Sequence, residues 1–307
     1  SEVTWPGMPL NRKSIEEVPG VRVPLGGIPL PLGKEGARKV YEMASQAKPT
    51  GTAERTSLKG RVAFVTGAGS GIGRAGAFAM ARCGAHVVVS DRDGDLAARV
   101  LEEIESEGYL GSSRRLDVSD DAALETAIID TAKEHGRLDI LHSHAGIQVD
   151  GSLEQVAPEG MDASWAINVR AHFIAARTAV QPMKRQGGGS IIITASNSGV
   201  QYDRGMIAYA TTKHAVVAMT RQMAADYANV NIRFNSLCPG FVDTPFNAGF
   251  ETQMGGRNAL ERYIEDNIPM GRWATCDEIA DAIVFLASDM SSFMTGHALV
   301  VDGGECI

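Results

Sequence analysis

A tyrosine and a lysine stand four residues apart in Tyr209-Ala210-Thr211-Thr212-Lys213, within a stretch whose pattern predicts a helix over 207–226. Positions i and i+4 share a helix face, so the ammonium lies beside the phenol and beside whatever covers that face. A free phenol titrates near ~10, and a base useful near neutrality needs a shift of roughly 2 to 3 units, about 3 to 4 kcal/mol of differential stabilisation. A neighbouring positive charge acts in that direction. Many solvated helices carry the same pair, so chemistry here requires a second site elsewhere in the chain.

The elements that would position the pair begin at Lys59. Short β-rich runs at 61–66, 85–90, 113–116, 138–143, 190–194, 231–237 and 298–301 alternate with helical stretches at 72–82, 96–106, 121–133, 158–185, 207–226 and 277–287. Alternating βαβ units with near-continuous apolar strands predict a parallel sheet buried under helices on both faces. Residues 58–307 read as one domain, without an internal repeat.

Residues 1–57 differ, since seven of the twelve prolines fall there. Pro24, Pro29 and Pro31 interrupt its one apolar run, 21–32, which favours an extended path, and only 34–48 looks helical. The expectation is an arm that wraps the surface and crosses to a neighbouring subunit.

Composition narrows the function class. A net charge of -8 argues against a nucleic acid partner, because little could neutralise a run of phosphates. Cys83, Cys238, Cys276 and Cys306 are scattered without metal spacing, as reduced thiols of a cytoplasmic protein would be. The sequence has neither an apolar run of about 18 residues nor a secretory signal pattern, so no membrane association is expected.

The second site is Thr66-Gly67-Ala68-Gly69-Ser70-Gly71-Ile72-Gly73, between the first strand and the first helix. Glycines there let a pyrophosphate approach the backbone amides, and the helix N-terminus adds partial positive charge. Asp91 ends the second strand, where a carboxylate binds ribose hydroxyls and repels a 2′-phosphate. Ser70 offers no cation to hold that phosphate, so NAD is expected over NADP, although Arg92 could swing toward one. Asp117-Val118, after the third strand, could cap the next helix or contact adenine.

Together with Ser196, thirteen residues before Tyr209, these motifs resemble the short-chain dehydrogenase/reductase family over residues 59–304. The resemblance implies a Rossmann-type doubly wound α/β sheet of about seven parallel strands and a nicotinamide cofactor. It further implies a catalytic set of Ser196, Tyr209, Lys213 and Asn168. In that set Tyr209 is the acid/base, Ser196 polarises the substrate oxygen, Lys213 tunes the tyrosine and reaches the ribose, and Asn168 holds a relay water. Pro239-Gly240, Val242 and Thr244 resemble the segment that meets the nicotinamide, and 296–304 a strand found at subunit interfaces, so a homotetramer or homodimer is implied.

One motif departs. Where many members carry Asn-Asn-Ala-Gly, this chain has Ser143-His144-Ala145-Gly146; Ala145-Gly146 keep the backbone path beside the cofactor. His142 and His144 lack a third ligand at useful spacing, so no metal is expected. A side chain packed beneath the adenosine is the expected role of His144.

Residues 244–273 insert Phe246, Phe250, Met254, Tyr263 and Trp273 beyond the strand ends, as a mobile lid would. With Gln148, Asn197, Gln201 and Tyr202 nearby, they suit a hydroxylated or cyclic secondary alcohol or its ketone. The competing readings are an NADP-linked reductase such as a 3-oxoacyl carrier-protein reductase, which Asp91 opposes, and a non-catalytic dinucleotide sensor on the same fold.

Overall fold

The computed structural model describes residues 51–307; the expected arm up to residue 50, with its helix at 34–48, lies outside the described residues. A short helix, α1 (Thr52–Thr56), precedes the first strand, and Arg55 in it donates to the Asp289 carbonyl at 2.9 Å.

Seven strands form one parallel sheet: β1 (Val62–Thr66), β2 (His86–Asp91), β3 (Gly111–Arg115), β4 (Ile140–Ser143), β5 (Gly189–Thr194), β6 (Ile232–Pro239) and β7 (Ala298–Val301). Their spatial order, β3-β2-β1-β4-β5-β6-β7, reverses direction at β1, the arrangement of a doubly wound sheet. Successive side chains of a strand point to opposite faces, so each central strand feeds two cores. Phe64, Val88, Leu141, Ile191 and Phe234 pack on α4 (Asp121–Glu134), α6 (Ala171–Gln186) and α7 (Ile207–Tyr227). Ala63, Val65, Val87, Ile140 and Ile192 pack on α2 (Gly71–Arg82), α3 (Gly94–Ser106) and α10 (Cys276–Ala287).

Helix starts are fixed by side chains that take up free backbone amides. Asp93 caps α3, Asp120 caps α4, and Thr275 with Glu278 forms a capping box on α10. The long helical stretch expected at 158–185 is α5 (Pro158–Trp165), one π-helical turn (Ala166–Arg170) and α6. Asn168 sits in that wider turn, an irregularity often found at functional positions.

The insertion after β6 folds as α8 (Ala248–Met254) and α9 (Arg257–Asn267). It has a small core of its own, Leu260, Ile264 and Ile268, beside Phe241, Phe250, Tyr263 and Trp273. Arg257 ties it together: its guanidinium lies 4.3 Å over the Trp273 ring and binds Asp243, Glu251 and Glu261 at 3.0, 3.1 and 2.9 Å. Among the described residues no helix is long and apolar enough to cross a membrane.

Phe64 is fully buried in β1, paired with Val88 of β2 on one side and Leu141 of β4 on the other. Phe64→Ala is expected to cost about 3–5 kcal/mol, the sum of lost transfer energy and a cavity, read as a lower urea midpoint at unchanged slope.

Candidate functional site

The site begins where β1 and β4 end side by side. Thr66 Oγ1 accepts from the amides of His144 and Ala145 at 2.9 and 3.1 Å, which joins the glycine loop to the loop after β4. Gly67 has a φ of 66°, and a Cβ there would lie 2.9 Å from Ala145 Cα, so only glycine fits. A Cβ on Gly73 would meet the Gly67 carbonyl oxygen at 2.2 Å. Gly73 therefore lets the loop close on the first turn of α2 and does not itself line the cavity.

A cavity of about 1000 Å³ opens over these loops, and Gly67, Ser70, Gly71 and Ile72 line it. Ser70 is the N-cap of α2 but makes no side-chain capping bond. A helix N-terminus with an uncommitted hydroxyl, behind a glycine-rich loop, fits a pyrophosphate. The Asp91 carboxylate is fixed alongside, accepting from the Gly69 amide at 2.9 Å and the Asp93 amide at 3.0 Å. Arg92 lines the same end and is exposed.

Asp117 and Val118 line the cavity too. Of the two roles open to Asp117, helix capping falls to Asp120 instead; Asp117 accepts from the Ser119 amide and hydroxyl at 2.9 and 2.7 Å. Those bonds, with Arg92 nearby, hold its carboxyl below the usual range. Ala145 and Gly146 line the floor, while Pro239, Gly240, Val242 and Thr244 form the opposite wall. A Cβ on Gly71 would approach Thr244 Cγ2 to 3.2 Å, so the two walls are close there.

The structure brings Ser196, Tyr209 and Lys213 together at the inner end of this cavity, where Ser196 is 7%, Tyr209 5% and Lys213 3% exposed. Ser196 Oγ accepts from the Ser198 amide at 3.2 Å and donates to Asn197 Oδ1 at 3.2 Å. Lys213 Nζ lies 5.4 Å from the Tyr209 ring centroid and donates to the Thr194 carbonyl at 3.0 Å.

Burial acts on both groups. Burial pushes the Tyr209 phenol up to about 12, with the Ser196 hydroxyl pulling part of the way back, and burial pushes Lys213 down to about 8. Desolvation penalises the charged form of each, so the ammonium does not by itself bring the phenol toward neutrality. Further positive charge at the cavity's inner end is needed.

Asn168 is fully buried and does not bond Lys213. Its Oδ1 accepts from the Ile147 amide at 2.8 Å, and its Nδ2 donates to the Ile147 carbonyl at 2.9 Å and Thr212 Oγ1 at 3.1 Å. The side chain thus clamps the loop after β4 to the helix that carries Tyr209 and Lys213.

His144 lies between the glycine loop and Lys213, a Cβ on Gly73 coming within 2.8 Å of its ring. Its Nδ1 and His142 Nε2 both approach Thr194 Oγ1, at 3.0 and 2.9 Å. Burial and then the Lys213 charge push His144 down to about 4, and His142 and His172 are lowered as well, chiefly by burial. All three rings are neutral near pH 7 and add no charge beside the lysine. Among the described residues no group of three or more His, Cys, Asp or Glu is placed to hold a metal.

Of the four residues expected at the substrate end, Asn197, Tyr202 and Phe246 line the cavity. Phe246 stands 6.2 Å from the Tyr209 ring, and Tyr202, 92% exposed, stacks on His214 at the rim. Gln148 does not line it: its amide is packed beneath α8, where a Cβ on Gly249 would come within 2.9 Å of Nε2. Lid residues Phe250, Met254 and Tyr263 line the cavity, whereas Trp273 only packs the lid. Sequence reasoning missed Glu305, which lines the cavity from the turn after β7 and accepts from Asn197 Nδ2 at 2.8 Å. No local motif marks it, because its partners lie more than a hundred residues away.

Gly73→Ala is expected to weaken NADH binding at least tenfold, since its Cβ would have to displace the Gly67 carbonyl. Titration by NADH fluorescence checks this, and unchanged affinity would show that the loop is not the cradle.

Residues 67–305 match the family model described as enoyl-(acyl carrier protein) reductase. The chain is 37% identical over 251 residues to a trans-4-hydroxycyclohexanecarboxylate dehydrogenase from Sinomonas cyclohexanicum, covering 80% of this chain and 92% of that protein. A solved gluconate 5-dehydrogenase from Burkholderia cenocepacia, in complex with NADP and tartrate, is 33% identical with a TM-score of 0.79 and covers 83% of this chain and 99% of that one. A 7α-hydroxysteroid dehydrogenase complexed with NADH is 29% identical, with a TM-score of 0.78, and covers 83% and 98% of the two chains. The chain belongs to the short-chain dehydrogenase/reductase family of oxidoreductases.

Proposed function

We propose that this protein is an NAD-dependent dehydrogenase that interconverts a hydroxylated or cyclic secondary alcohol and its ketone. One observation carries the reading: Ser196, Tyr209 and Lys213 are buried together at the inner end of a cavity whose outer end is a glycine-rich loop beside Asp91. The nicotinamide dinucleotide would supply the hydride acceptor or donor and, when oxidised, a positive ring. The residues that would hold it are the loop 67–73, Asp91, Val118 and Gly146, with Thr244 on the facing wall.

The chain's own groups divide the remaining work. Ser196 Oγ is placed to hydrogen-bond the substrate oxygen, exchanging its bond to Asn197 for one to the substrate. Tyr209 takes the alcohol proton in oxidation and returns it in reduction. Lys213, anchored on the Thr194 carbonyl, favours the charged phenolate, and the neutral histidines behind it do not compete for that role. Asn168 fixes the backbone on which this geometry rests.

Cofactor choice rests on Asp91. A carboxylate held by two amides accepts ribose hydroxyls and repels a 2′-phosphate. The NADP and NADH found with the two solved relatives show that the family fold accepts both.

Tyr209→Phe is expected to reduce turnover to below a few per cent while NADH affinity stays within about threefold, and retained activity would remove the tyrosine from the mechanism. Unaltered protein should prefer NAD by at least tenfold in kcat/KM, and Asp91→Ala should erode that preference. With alcohol as substrate, the rate should rise with pH through an apparent pKa below ~10. Lys213→Met should move that pKa upward, because the phenolate then loses the neighbouring ammonium that favours it. A profile unmoved by the substitution would contradict that role of Lys213.

A further inference from the structure

Glu305 is the acidic side chain closest in bonding to the reacting centre, and the reaction as described does not use it. The turn after β7 delivers it. Gly303 and Gly304 have φ of 68° and 93°, and Asp302 closes the turn by accepting from the amides of Gly304 and Cys306, each at 2.9 Å. A Cβ on Gly303 would meet Ile268 Cγ2 at 2.9 Å, so the turn is seated against the lid's core. The carboxylate of Glu305 thus enters the cavity on a fixed backbone.

Its bonding ties it to the reacting end. Ser196 Oγ donates to Asn197 Oδ1, and Asn197 Nδ2 donates to Glu305 Oε2 at 2.8 Å. Two hydrogen bonds therefore separate Glu305 from the hydroxyl that would hold the substrate oxygen. Ser196 and Glu305 line the same cavity, so a substrate seated in it meets both. Asp203 lines the same end and adds a second carboxylate, while of the cations at that end Arg204 is exposed at the rim and Lys213 is tied to the Thr194 carbonyl. Met206, Phe250 and Tyr263 supply apolar walls.

We propose that Glu305 is a specificity-determining residue: it accepts a hydroxyl of an uncharged diol or polyol next to the reacting carbon and disfavours alcohols bearing a carboxylate. The inference rests on the dehydrogenase reading above. Burial raises Glu305 to about 7, with the Asn197 bond pulling back and Asp203 and Asp302 pushing further up. The titratable groups facing it are Asp203, Asp302, Tyr263 and Cys306.

The test compares unaltered protein with Glu305→Gln, which keeps an acceptor for Asn197 and removes only the charge. Three probes are used: cyclohexanol, trans-cyclohexane-1,2-diol and trans-4-hydroxycyclohexanecarboxylate. The substitution is expected to raise KM for the diol about tenfold with kcat within about threefold, leave cyclohexanol unchanged, and lower KM for the carboxylate at least about fivefold. In unaltered protein KM for the carboxylate should fall as pH drops through about 7, because protonation removes the opposing charge, and Glu305→Gln should flatten that dependence. A change shared equally by cyclohexanol and the diol, or confined to kcat, would reduce Glu305 to a support for Asn197 and overturn the proposal. So would a preference of the unaltered protein for the carboxylate. Failure of unaltered protein to turn over all three probes with NAD or NADP would instead overturn the dehydrogenase reading beneath it.

Discussion

The parallel pairing of β1 with β4 is the constraint on which the site depends. Val65 lies opposite His142, so both strands end at one level, and the loops that follow leave as neighbours. Because the chain winds one way from β1 to β3 and the other way from β4 onward, no helix can cover the crevice between those loops. The Thr66 hydroxyl then fixes their relative position by taking two amides from the far loop. Asn168 repeats the device one layer further in, binding both polar groups of Ile147. The two loops and the helix that carries Tyr209 and Lys213 are thus held by side-chain bonds that a shift of register would break.

That rigidity allows a costly electrostatic arrangement. A phenol, an ammonium and three imidazoles are buried within one region, and every one of them is pushed toward its neutral form. Water cannot relax such groups, so a new charge arriving at the cavity acts on them at low effective dielectric. The neutral histidines matter in this balance. A charged ring next to Lys213 would depress the lysine further and cancel its pull on Tyr209. His144, which stands where many family members carry asparagine, is kept uncharged by burial and then by the Lys213 charge.

Much of this was legible in the sequence. Strand and helix positions came from periodicity, and seven parallel strands stand where β-rich runs were read, because the central strands are buried on both faces. The glycine loop and Asp91 were legible because their roles are local: a turn, a helix start and a strand end. Roles set by distant contacts were not. The true cap of α4 is Asp120 rather than Asp117, a choice decided by backbone geometry three residues on. Nothing near Gln148 showed that α8 would bury it, and nothing near Glu305 showed that Asn197 would face it. The raised phenol escaped prediction for the same reason, since charge proximity can be read from spacing whereas desolvation depends on the whole fold.

The lid marks where the fold can vary without losing its chemistry. Its apolar cluster around Phe241 is separate from the two cores that flank the sheet, and Arg257 holds its helices through three carboxylates and one indole. Phe246, Phe250 and Tyr263 on it line the cavity. The turn that carries Glu305 is seated on Ile268 of that same cluster. The cavity is therefore walled by a module with its own packing and floored by the sheet edge, an arrangement in which the wall can vary while the floor stays fixed.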